Sequence, residues 1–122
     1  MSTASAIRIV QASVVMAASL LALVSMPTFA VADTVTIELK SGPNRYEPKS
    51  QTVKVGDTVV WVNKGGTHTV TPDDGQSDPF PGSMTLNPGD THQTVISGSP
   101  RTIKYHCEIH GPSMDGEIVV GR

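Results

Sequence analysis

The chain holds a single cysteine, in the run Tyr105-His106-Cys107-Glu108-Ile109-His110-Gly111-Pro112-Ser113-Met114. A thiolate, an imidazole three residues later and a thioether four residues beyond it place soft, borderline and weak donors in one short segment. That set suits copper. A metal cycling between Cu(I) and Cu(II) needs a site that neither oxidation state would choose alone. Two imidazoles and a thiolate in a plane, with a weak axial thioether, supply the compromise. The segment is one imidazole short, and His68 is the natural candidate.

Each of these residues also has a plainer reading. Cys107 could be an inert, buried small hydrophobe. The adjoining His110 and Met114 weigh against that, because an exported lone cysteine has no disulfide partner and a metal-bound thiolate is protected from oxidation. His68 beside glycines could be an exposed loop histidine, and Met114 could plug the core, with a carbonyl or water in the axial position instead. His92 lies among polar residues and is given no role. His106 reads as a surface residue, since strand alternation sends it away from the face that Cys107 uses. Asp73, Asp74 and Asp78 are poorly spaced for a calcium loop and read as solvated turn carboxylates.

Residues 1–32 read as a secretion signal: Arg8 is its one charge, Ala12 to Val24 a short apolar run, and Ala30-Val31-Ala32 a small-x-small cleavage site. The run is too short and too interrupted for a comfortable membrane span. The mature chain is expected to begin at Asp33 and to form one domain, residues 33–122, in the periplasm. An extracellular or lumenal address would leave the same marks. Loss of Arg8 takes the net charge from −2 to −3, and no basic stripe exists, so nucleic acid is excluded as a partner.

The elements that must position the ligands read as strands. Val35, Ile37 and Leu39 alternate with polar residues, the two-residue period of a strand with one buried face. Thr52 to Val55, Thr58 to Asn63 with Trp61, Thr67 to Val70, Thr91 to Ser97, Arg101 to Cys107 and Gly116 to Val120 continue the series. Gly, Pro, Asn and Asp clusters separate them. No amphipathic helical pattern appears. The expected fold is all-β, an antiparallel Greek-key β-sandwich. Its strand ends would fix His68 and Cys107, and a Glu108 to Met114 loop would fold over to deliver His110 and Met114.

On Tyr46-x-Pro48, Val55-Gly56-Asp57-Thr58-Val59-x-Trp61-x-Asn63, His68, Asn87-Pro88-Gly89, Tyr105-x-Cys107-x-x-His110 and Met114-x-Gly116, the chain resembles the cupredoxins, the small blue copper proteins. The plastocyanin, pseudoazurin and amicyanin branch is the most similar, and the resemblance spans the mature chain. It implies one copper ion held by His68, Cys107, His110 and an axial Met114, and electron transfer rather than enzymatic catalysis. It departs in three places. The His110 to Met114 spacing lies between those of amicyanin and plastocyanin. Thr69 stands where Asn is often found, and His106 where an aromatic is common. His106 beside Cys107 also invites comparison with multicopper oxidases and copper nitrite reductases, but the further histidines of a second centre are lacking.

The expected function is a one-electron carrier, a monomer that docks redox partners briefly near His110. A copper module for sequestration or delivery would need the same ligands. A Cys-His hydrolase would need more room for a base and a substrate than the Cys107–His110 segment provides.

Overall fold

The structure is a computed structural model in which residues 31–122 are described; the expected signal segment lies outside the described residues, save for Val31 and Ala32. Eight strands follow one another: β1 (Thr34–Lys40), β2 (Arg45–Glu47), β3 (Ser50–Lys54), β4 (Thr58–Asn63), β5 (Thr71–Pro72), β6 (Thr91–Val95), β7 (Arg101–Cys107) and β8 (Gly111–Gly121). They form two four-stranded sheets, ordered β2-β1-β4-β6 and β3-β8-β7-β5. No helix among the described residues is long and apolar enough to cross a membrane.

Alternation decides which face of each strand is buried. In β1, Ile37 and Leu39 are fully buried, and in β4 Val59 and Trp61 are. Val53, Ile103, Tyr105, Ile118 and Val120 meet them from the second sheet in one cluster. Burying each aliphatic side chain contributes roughly 1.5–3 kcal/mol. Trp61 centres the packing, with Phe80, His92 and Tyr105 at ring-centroid distances of 5.0, 5.6 and 5.6 Å. His92 is therefore half-buried against the indole rather than solvent-exposed.

The all-β sandwich is as expected, but the sheets are mixed rather than uniformly antiparallel. β1 pairs β4 in parallel, and β3 pairs β8 in parallel. The cause lies between β2 and β3, which only Pro48 and Lys49 separate. Proline cannot donate to a ladder, so pairing in the first sheet stops there and the chain passes to the second. After the Gly56-Asp57 reversal the chain returns to the first sheet as β4, running alongside β1.

The second difference concerns the ligand segment. The expected loop from Glu108 to Met114 is shorter: residues 108–110 form a turn and β8 begins at Gly111. His106 faces Asp115 across the β7–β8 ladder while Cys107 faces Gly111. Pro112, Ser113 and Met114 are thereby extruded as a bulge beside the cysteine. Such bulges re-aim side chains. Met114 thus comes from a strand irregularity, not from a free loop.

Candidate metal centre

His68 sits between β4 and β5, in an isolated antiparallel bridge with Leu86. The two residues exchange N–H···O bonds of 3.1 and 2.8 Å. Its imidazole is fully buried, with Nε2 2.7 Å from the Gly65 carbonyl. A carbonyl only accepts, so Nε2 carries the proton and Nδ1 keeps its lone pair. That Nδ1 is buried and has no hydrogen-bond partner. Leaving such a group unsatisfied costs on the order of 1–3 kcal/mol, and a metal ion is a partner that neutral imidazole suits well. Burial lowers the His68 pKa, the Gly65 carbonyl opposes that shift, and nearby His110 adds to it.

Cys107 ends β7 with its thiol fully buried. Its Sγ lies 3.4 Å from Nδ1 of His110 and accepts the Thr69 N–H at 3.4 Å. The two imidazoles are tilted by 55° with centroids 5.0 Å apart. One ligand atom from each of His68, Cys107 and His110 lies within 4.8 Å of the other two. Among the described residues this is the one cluster of three such groups. Met114 is 1% exposed and belongs to the same buried cluster as Cys107. The donor set and the orphaned Nδ1 fit a copper ion.

Supporting residues do what the ligands cannot do alone. Thr69 accepts the Glu108 N–H on its hydroxyl at 2.9 Å, and the same oxygen is 2.9 Å from the Thr71 hydroxyl. A short threonine thereby ties the His68 segment to the Cys107–His110 turn, at the position where asparagine is often found in the resembling proteins. From the opposite sheet, the Tyr46 hydroxyl donates to the Thr69 carbonyl at 2.6 Å. Burial raises the Tyr46 pKa far above its ordinary value, with the Cys107 charge as the next cause. The phenol accordingly stays a donor.

Asn63 is the supporting residue that sequence reading quoted without a role. It is 1% exposed, at the inward position two residues after Trp61. Its amide donates to the Gly66 and Leu86 carbonyls at 2.9 Å each, and its oxygen accepts the Gly65 N–H at 3.0 Å. These bonds hold the two segments that flank His68. The available signal was a polar side chain where the alternation of β4 calls for an apolar one.

Gly66 has φ +81°, and a Cβ there would lie 2.9 Å from His68 Nε2 and 3.3 Å from the Ser41 Cβ. Gly66→Ala is expected to weaken copper binding about 10- to 100-fold, the range seen when groups that orient metal ligands are disturbed. Competition against a chelator measures it. Unchanged affinity would mean that the Gly65–His68 contact does not set the ring position.

His106 leaves the cluster on the other face, as alternation requires, but it is not a free surface residue. Its Nδ1 lies 2.6 Å from Oδ1 of Asp73, and the ring is partly buried. Asp73 is thus paired rather than merely solvated. Asp78 likewise pairs with Arg101 at 3.5 Å. Glu108 and Lys104 are exposed, Phe80 is core and Met84 is 85% exposed.

A two-sheet sandwich with His, Cys and His at one end defines a small copper protein. The profile of the copper-binding proteins of the plastocyanin/azurin family matches residues 33–121, and the chain belongs to that family. A plastocyanin from Prochlorothrix hollandica is 34% identical over 102 residues, covering 75% of this chain and 77% of that protein. Among solved structures, a purple cupredoxin from Nitrosopumilus maritimus is 27% identical with a TM-score of 0.61, over 71% of this chain and 99% of the other. An oxidised amicyanin mutant is 26% identical with a TM-score of 0.62, over 71% and 81%. The chain is a cupredoxin, its cofactor is copper, and His68, Cys107 and His110 form a type 1 copper-like site.

Proposed function

We propose that this protein is an exported one-electron carrier in which His68, Cys107, His110 and Met114 would hold the copper. The observation that carries the reading is the preassembled trio: three ligand atoms within 4.8 Å, two of the side chains fully buried. Bound copper would supply the Cu(II)/Cu(I) couple. The chain's own contribution is to resist rearrangement. Asn63 and Thr69 pin the His68 segment, and the β7–β8 ladder pins Cys107 and the bulge that carries Met114. A fixed ligand frame keeps the reorganisation that accompanies gain or loss of an electron small.

His110 is the partly exposed ligand, flanked by exposed Ile109 and Pro112. It is the edge through which a redox partner would exchange an electron in a brief encounter, with the protein acting as a monomer. No substrate pocket is required, and the pairing of His106 with Asp73 supports a single centre rather than a second metal next to Cys107. The family match over residues 33–121 supports a mature domain of residues 33–122, and the secretion signal read in residues 1–32 favours a periplasmic address for it. Reversible voltammetry with fast self-exchange tests the carrier reading. Tight Cu(I) binding with ready transfer to another protein, and no reversible wave, would favour copper delivery instead.

Met114→Leu separates a thioether ligand from a core plug. It should keep the thiolate band and raise the reduction potential, because losing a thioether donor disfavours Cu(II). An unchanged potential would assign Met114 to packing alone.

A further inference from the structure

The start of the expected mature chain is built into the sandwich at a buried acid. Asp57, 2% exposed, accepts the backbone N–H of Asp33 on Oδ1 at 2.9 Å and that of Lys54 on Oδ2 at 2.8 Å. The Asp33 carbonyl in turn accepts the Thr58 N–H at 2.9 Å, so Asp33 is held on both sides of its Cα. The charged groups facing this point are the Asp33 carboxylate, the Asp57 carboxylate and Lys54. Lys54 Nζ lies 3.1 Å from Oδ2 of Asp33 and 3.5 Å from Oδ2 of Asp57. Two carboxylates thus share one ammonium. While Asp33 is an internal residue, the nitrogen facing Asp57 is a neutral amide.

We propose that cleavage before Asp33 converts this hydrogen bond into an ion pair between the new α-ammonium and the buried Asp57 carboxylate, making maturation a stabilising modification of the fold. Water adds across the Ala32–Asp33 peptide bond: hydroxide goes to the Ala32 carbonyl carbon, and a proton goes to the Asp33 nitrogen. The amine so formed takes up a second proton below its pKa. The site then holds two cations against two carboxylates. The bond that the ion pair replaces is already charge-assisted, since its acceptor is an ionised carboxylate. A cationic donor in the same place adds the Coulombic attraction of a full positive charge at the 2.9 Å contact. The Asp57 carboxyl already lies below its ordinary range, through the Asp33 N–H first and the Lys54 N–H second. An N-terminal cation in the same place strengthens that effect. The inference rests on the proposed start of the mature domain at Asp33.

The sign of the pH dependence follows. A free α-amino group titrates near about 7.7–8.0. Pairing with Asp57 raises that value in the folded state, and Lys54 works against the rise. The added stability is therefore fully present below about pH 7.7 and is lost as pH climbs through the folded-state pKa above it.

The test compares copper-loaded protein beginning at Asp33 with the same protein beginning at Ala32, by thermal unfolding from pH 6 to 10. At pH 7 the Asp33 form should melt about 5 °C higher, and the gap should close as pH rises past about 8. In an Asp57→Asn background the gap should vanish. Equal melting at pH 7, a gap that ignores pH, or a gap that survives Asp57→Asn would overturn the ion pair. If Asp57→Asn does not fold, the pH dependence of the gap in the unmutated pair decides. Intact mass of the exported protein reports the cleavage position separately: a start elsewhere than Asp33 overturns the maturation step, whatever the melting curves show.

Discussion

Copper(II) added to the protein should give an intense visible charge-transfer band, and Cys107→Ser should remove it entirely. The band requires a thiolate whose sulfur orbital overlaps the half-filled copper orbital, and Cys107 is the only cysteine in the chain. Serine is nearly isosteric, and the Thr69 N–H that now meets Sγ at 3.4 Å offers its hydroxyl a donor. The fold should therefore survive, with far-UV circular dichroism unchanged. What disappears is the soft donor, leaving two imidazoles and an oxygen with only faint ligand-field colour. If the unsubstituted protein itself shows only that faint colour with Cu(II), the thiolate is not a ligand and the type 1 assignment fails.

The ligands were legible because their types are rare and their order is informative. One cysteine, a histidine three residues later, a methionine four beyond it and a histidine far upstream have few other uses together. What holds them was less legible, because it runs through backbone groups of remote segments. The Tyr46 hydroxyl reaches a carbonyl 23 positions away, and His106 meets Asp73 across 33. No local pattern signals either contact. Asn63 and Thr69 stood in view, but their partners are main-chain atoms that only the folded chain brings together.

The strands divide in the same way. β1, β4 and β7 run over the residues that alternation predicts, Thr34–Lys40, Thr58–Asn63 and Arg101–Cys107. β2 was hidden by the turn residues around its three positions. β8 starts five residues before the predicted Gly116, because Gly111 and Pro112 carry turn chemistry that pairing with β7 overrides. The parallel pairs were not foreseen, since local alternation does not say which strand lies alongside. Thr67 to Val70 resolves into a single bridge at His68, with β5 displaced to Thr71–Pro72. That departure from regular strand lies at the metal centre, where ligand geometry rather than sheet pairing governs the backbone.

Gly116→Ala should be among the most damaging single-methyl additions available. Gly116 faces Tyr105 across the β7–β8 ladder, and a Cβ on it would lie 2.6 Å from both Cζ and Oη of that ring and 3.0 Å from Cε2. The ring cannot retreat. It is fully buried, with Tyr46, Trp61 and Phe80 at centroid distances of 4.6, 5.6 and 5.9 Å. Overpacking of this kind costs about 1–3 kcal/mol, which in a domain of this size lowers Tm by about 10 °C. Tyr105→Phe provides the internal control. Its buried Oη has no hydrogen bond of good geometry, but the Trp61 indole N–H lies close enough to oppose the burial that raises the phenol's pKa. Removing the oxygen alone should therefore cost only about 1 kcal/mol. In the double variant the lost oxygen opens part of the space that the new methyl needs, and the two changes should be clearly non-additive, recovering part of the loss. The strain also falls two residues from Cys107 on β7 and two from Met114 on β8, so the charge-transfer band of Gly116→Ala should shift while that of Tyr105→Phe stays in place. Strict additivity in melting, together with an unmoved band, would show that the ladder absorbs the methyl without pressing on Tyr105.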